Sequence, residues 1–236
     1  MNFKNEFVSL NNKNISIWFV MAFQAGAINA GGLMACHRLV THTTGFATHF
    51  GVEFAQGNYV AAFGMLTVPV FFIIGAMISA YFIDLRLQEN RAPNYRTPAI
   101  LITIILLITA ITGQLGLYGG FQNSLVIARD YLFMVLLCMA SGIQNAMLCN
   151  AHGTSVRTTH LTGLSTDLAV GLVRFFFHKD AIKHQHEAKA SLARMGTVLC
   201  FVLGSMLAAL IFIKMQYLGF WVPTLTSILL WKYVFQ

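Results

Sequence analysis

Apolar runs without a single Asp, Glu, Lys or Arg divide this chain more clearly than any helical or strand periodicity does. They cover residues 14–36, 54–83, 97–128, 131–151, 195–213 and 215–231. A helix crossing the hydrocarbon core of a bilayer needs about 20 predominantly apolar residues, within a range of about 17–25. All six runs reach that length, the longer ones taking in some loop, so the pattern predicts six membrane-spanning helices. The first run is too long and too polar at its centre for a secretion signal, and it lacks a clear small-residue cleavage site.

Two shorter stretches follow the first and fourth runs, at residues 45–56 and 163–177. As helices they would extend about 18 Å and about 22 Å at 1.5 Å per residue, short of a core about 30 Å thick. Counting both as full spans would also carry Arg86, Arg91 and Arg96 to the outer side. Each is therefore read as a short re-entrant or broken helix. The polar starts Thr44-Gly45 and Thr162-Gly163 suit a break in the backbone followed by a helix cap.

Composition agrees with a bilayer protein. Of the 236 residues 57% are hydrophobic and 10% charged, where a soluble domain carries roughly 25% charged residues. The 20 Phe argue against disorder. The net charge of +7 reflects only 8 acids, not a dense basic face, so nucleic acid is not an expected partner.

Lysine and arginine set the orientation. With the N-terminus inside, only Arg38, Arg129 and Lys214 of the 15 basic residues fall outside, each near a helix end where it can snorkel. The positive-inside rule thus predicts six spans with both termini cytoplasmic, in a bacterial inner membrane. The four cysteines, Cys36, Cys138, Cys149 and Cys200, sit in apolar settings without CxxC spacing. They read as small packed hydrophobes, and no metal or cofactor is expected.

The two halves of the chain echo each other. Gly26-Ala27-Ile28-Asn29-Ala30 matches Gly142-Ile143-Gln144-Asn145-Ala146 as G-x-x-N-A. Thr41-His42-Thr43-Thr44-Gly45 matches Thr159-His160-Leu161-Thr162-Gly163 as T-H-x-T-G. Weaker echoes follow in the same order, Phe72-Ile73-Ile74-Gly75 with Phe201-Val202-Leu203-Gly204, then Thr97-Pro98 with Val222-Pro223. Generic small-residue packing explains the glycines but not the matched Asn, His and Thr. Three spans per half is an odd number, so the second repeat enters from the opposite face, as in many secondary transporters. The expected fold is one all-α membrane domain over 1–236. Its two inverted three-helix repeats cover about 15–118 and 129–236, each with a short helix after its first span.

Candidate chemistry follows from the repeat. Intramembrane carboxylates are costly and functional by default; only Glu53 and Asp167 fall within the short helices. Asp167 stands one turn after Gly163, where the helix dipole favours an anion. His49 lies one turn before Glu53 on the same face. Two such ligands without a third make a weak metal site. Proton coupling is therefore assigned to Asp167, His49 and Glu53. A midplane solute site is assigned to Asn29, His42, Thr44 and Gly45 with Gln144, Asn145, Thr159, His160, Thr162 and Gly163. Structural bonding at the helix breaks is the equally weighted alternative for the histidines. For the amides the alternative is glue between helices, and the doubling of Asn29 and Asn145 favours the pocket.

The G-x-x-N-A segments and paired T-G motifs resemble the YoaK family of small bacterial multi-pass membrane proteins, which implies no particular substrate. The most specific stretch is Gly142-Ile143-Gln144-Asn145-Ala146 followed by Arg157-Thr158-Thr159-His160-Leu161-Thr162-Gly163. In the first half Asn29 stands where that family commonly has Asp, and Phe46 where it commonly has Asn.

The expected function is a secondary transporter or permease for a small polar or anionic solute, with proton coupling. A passive channel fits the same architecture. A membrane scaffold or partner subunit, docking through the basic loop 178–194, belongs to a different class. An intramembrane enzyme is the weakest reading, since no HExxH, GxSxG or Walker A spacing is present. A homo-oligomer is left open.

Overall fold

The computed structural model describes residues 9–121, 128–148, 161–177 and 181–234, and all secondary structure among them is helical. The chain forms α1 (Asn12–Cys36), α2 (Thr43–Ala55), α3 (Tyr59–Phe82), α4 (Asp84–Gln88), α5 (Arg96–Gln114) and α6 (Ala128–Met147). It continues with α7 (Leu161–Phe177), α8 (Ala181–Met215), a 3-10 turn (Gln216–Phe220) and α9 (Trp221–Leu229). A π turn over Leu230–Val234 ends the described chain.

Four helical stretches are long and apolar enough to cross a membrane: Asn12–Cys36, Tyr59–Gln88, Arg96–Gln114 and His184–Lys232. Tyr131–Met147 is apolar but shorter. The six apolar runs thus become four stretches of crossing length, because the last two join without a loop through the 3-10 turn and the described part of the fourth, Tyr131–Met147, is shorter. Gln216 at φ 48 and Gly219 seated on the Phe212 ring reverse the chain there.

The packing of glycines shows which helices meet. A Cβ on Gly26 of α1 would overlap the Phe201 carbonyl oxygen of α8, and one on Gly204 of α8 would overlap that of Phe23 on α1. The second pair does the same: Gly142 of α6 meets the Phe72 carbonyl of α3, and Gly75 of α3 meets that of Met139 on α6. Such backbone approach is what small residues allow between membrane helices. Ser205 adds a hydroxyl bond to the Gly26 carbonyl at 3.1 Å.

The register of these seams gives the directions. Phe19 faces Gly196 and Phe212 faces Gly31, so α1 and α8 run parallel. Tyr131 faces Gly64 below the Gly75 contact, so α3 and α6 also run parallel. Gln144 reaches Met21 while Cys138 reaches Val40, which makes α6 antiparallel to α1. Tyr217 packs on Gly113 and Ser227 bonds Thr103, so α9 runs antiparallel to α5. The short helices are peripheral, α2 packed on α3 and α7 on α8.

Large apolar side chains point outward as well as inward. Phe63, Ile73 and Met77 of α3, and Leu199, Leu210 and Ile213 of α8, are exposed. A surface of that extent suits hydrocarbon, not water. A cavity of about 480 Å³ opens between the first two turns of α1 and the third to fifth turns of α8, lined by Ile15, Ser16, Phe19, Lys189, Leu192 and Gly196 among others. At the opposite end an aromatic cluster closes the bundle, with Phe133, Tyr217 and Phe220 in edge contact.

Candidate functional site

The first T-H-x-T-G motif is anchored through Asn29. Its buried side-chain oxygen accepts from the Thr41 amide at 3.3 Å and from the Thr41 hydroxyl at 3.0 Å. That hydroxyl lies 2.8 Å from Nδ1 of His42. The amide therefore ties the α1–α2 loop to α1, and Thr41 passes the constraint to the imidazole. His42 precedes α2 but makes no side-chain cap bond. Burial pushes the His42 pKa below the ordinary histidine value of 6.5, favouring the neutral ring at neutral pH.

The rest of that motif faces outward. Thr44 and Gly45 are exposed, and nothing lies within 4 Å of where a Gly45 Cβ would stand. Phe46 is the buried anchor of α2. Glu53 accepts from the Asn58 amide at 3.1 Å and lies 4.0 Å from Arg38, so its carboxylate ties the end of α2 to the start of α3. His49 is half-buried one turn earlier.

In the second half, Thr159 and His160 lie outside the described residues. Thr162 and Asp167 are exposed on α7, and Gly163 is half-buried. Gly171 lets α7 settle onto Ser191 and Arg194 of α8. Glu187 of α8 stands 3.6 Å from Arg174 of α7 and 3.7 Å from Arg194. Thr41 bonds Asn29 within the body of α1, and Leu161 at the start of α7 packs against the cluster of Ala22, Ala25 and Phe201 on α1 and α8, so among the described residues both short helices start along the inner length of α1 and not at its ends.

Several further uncharged polar groups are buried on α1, α3 and α6. Gln144 is buried on α6, and its Nε2 donates to the Met21 carbonyl of α1 at 2.6 Å. Asn145, beside it, is half-buried. Gln24 lies on α1 one turn from Met21 and is fully buried. Ser141, one turn from Gln144, and Ser79 of α3 are buried as well. Sequence reasoning had singled out Gln144 but passed over Gln24 and Thr41. Gln24 was findable, being an amide at the middle of the first apolar run. Thr41 was not, since its role depends on the loop folding back onto Asn29.

Among the described residues no group of three or more His, Cys, Asp or Glu could hold a metal ion. The described polar groups buried at the α1–α6 contact, Gln24, Ser141 and Gln144, are uncharged. Comparisons with curated proteins and with solved structures returned no match. Residues 17–231, which contain both copies of each motif, match the family described as "Protein of unknown function (DUF1275)". The chain belongs to that family.

Proposed function

We propose that this protein is a small secondary transporter or permease for a small polar or anionic solute, held in the cytoplasmic membrane with both termini inside. Its single domain consists of six spans in two inverted repeats, about 15–118 and 129–236, and its YoaK-type resemblance is kinship within the family of unknown function. The observation that carries the reading is the exchange of glycine seams. Substituting α6 for α1 and α8 for α3 turns the contact of Gly26 with Phe201 into that of Gly142 with Phe72. It likewise turns the contact of Gly204 with Phe23 into that of Gly75 with Met139. The same substitution turns the packing of α2 on α3 into that of α7 on α8. Parallel pairing of helices from different halves is what an inverted repeat requires, and such repeats support alternating access around a midplane site.

We put the site at the crossing of α1 and α6, around Gln144, whose amide reaches the Met21 carbonyl across the two helices. Asn29, Thr41 and His42 then couple that crossing to the peripheral α2. His42 is a better candidate for proton exchange than the exposed Asp167, since its ring is bonded through Thr41 to Asn29 of α1 and imidazole titrates in the physiological range. The reading is of a non-enzyme, with lipid and solute as partners. Purified protein in proteoliposomes tests it. Saturable flux that follows an imposed pH gradient supports a coupled transporter. Linear, gradient-independent flux supports a passive channel. Flux equal to that of empty liposomes sinks both and favours a scaffold or partner subunit.

A further inference from the structure

We infer that the centre of the bundle binds an uncharged solute that both donates and accepts hydrogen bonds, recognised by the side-chain amides of Gln24 and Gln144. The inference rests on the permease reading and names its substrate class. Gln24 stands at the midpoint of the 25-residue α1, as far from either membrane face as a side chain can be. It is 0% exposed, and neither its Oε1 nor its Nε2 has a hydrogen-bond partner among the described residues. Gln144 is 1% exposed; Nε2 is used on the Met21 carbonyl while Oε1 is left without a partner. The hydroxyls of Ser141 and Ser79 are buried and unpartnered in the same way. Gly75 packs between Met139 and Ile143, so Ser79, one turn further along α3, falls level with Gln144 in the parallel α6.

These groups form a layer contributed by α1, α3 and α6. A buried polar group that forgoes water without gaining a partner loses its full hydration. A leucine or methionine would fill the place of Gln24 with no unmet bond. The layer is therefore built for a bonding partner that is not part of the chain. Its chemistry selects that partner. Two amide oxygens and two hydroxyls accept, while one free amide and two hydroxyls donate, a pattern matched by amides, ureas and polyols. Among the described residues the unpartnered groups of this layer are all uncharged, while Arg38 is paired with Glu53 and Arg194 with Glu187. A charged solute would be desolvated there without a counter-charge.

Full-length protein in proteoliposomes provides the test, with acetamide and urea as neutral probes, nitrate and formate as anions, and methylammonium as a cation. Wild type is expected to carry acetamide or urea saturably and to exclude the three ions. Gln24→Met and Gln144→Met are each expected to lower neutral flux at least tenfold. Gln24→Asn, which keeps the amide but shortens its reach, is expected to raise the half-saturating acetamide concentration severalfold and covers the case in which the methionine variants do not fold. Neutral flux unchanged in folded Gln24→Met, or half-saturation unchanged in Gln24→Asn, overturns the inference. Flux of ions without neutral solutes overturns the substrate class and leaves the permease reading standing. Flux of no probe above empty liposomes overturns both.

Discussion

Single atoms at four glycines determine how closely the helices approach. At Gly142 a Cβ would run into the Phe72 carbonyl, a backbone atom with nowhere to move unless α3 shifts. Gly142→Ala is therefore expected to destabilise the protein by about 1–3 kcal/mol or more, the usual cost of overpacking. Gly51 of α2 has nothing within 4 Å of the same position. Gly51→Ala should instead stabilise by about 0.5–1 kcal/mol through helix propensity. Thermal unfolding in detergent compares the two, and equal effects would discount the seam. At Thr41, replacing the hydroxyl by the methyl of Thr41→Val leaves the buried Asn29 oxygen with the weaker amide bond and frees His42. A loss of about 1–3 kcal/mol is expected for such an orphaned group.

His42 adds a pH signature. Burial disfavours its charged form in the fold, so the unfolded chain binds the proton more tightly. Stability from this group is complete above the unfolded value of 6.5 and is lost as pH falls through 6.5 towards the lower folded value. His42→Asn should flatten the decline of melting temperature below that pH relative to wild type. An unchanged slope would show that the ring is not held neutral by the fold.

At the scale of elements, the two short helices are the informative case. Their extents were legible: the stretches 45–56 and 163–177 correspond to Thr43–Ala55 and Leu161–Phe177, because Thr-Gly starts and flanking charges mark the ends. Their position was not legible. Apolar residues occur all around both helices, and such a pattern does not distinguish burial in protein from contact with lipid. The packing joins α2 chiefly to α3 and α7 chiefly to α8. For α7 that attachment is partly ionic. The Glu187 side chain is 15% exposed between Arg174 and Arg194, while Arg174 is 57% exposed and largely screened by solvent. Glu187→Gln should therefore speed amide hydrogen exchange across 161–177 and leave α2 unchanged. Equal protection of α7 in the variant would assign its docking to Gly171 and Leu164 alone.

At the scale of the whole molecule, the helix directions place residues 90 and 185 at the same end as the N-terminus and residues 57 and 117 at the other. On a background lacking Cys36, Cys138, Cys149 and Cys200, single cysteines at 57 and 117 should react with an impermeant maleimide in intact cells. Those at 90 and 185 should react only after the membrane is opened. Labelling of position 90 from outside would invert the proposed topology.

By itself the sequence determined that this is a helical membrane-type protein, where its apolar helices run and which residues recur in its halves. Those properties follow from local composition, since twenty uncharged apolar residues prefer hydrocarbon and satisfy their backbone only as helix. The tertiary structure alone decided that α1 pairs with α8 and α3 with α6. It also decided that the loop after α1 folds back onto Asn29 and that Gln144 of α6 reaches the Met21 carbonyl of α1. A glycine advertises that close approach is allowed, but not to what. An amide within an apolar run advertises an unmet bond, and whether a neighbour meets it depends on helices distant in the chain. Asn29 found Thr41 in its own loop; Gln24 found no partner among the described residues.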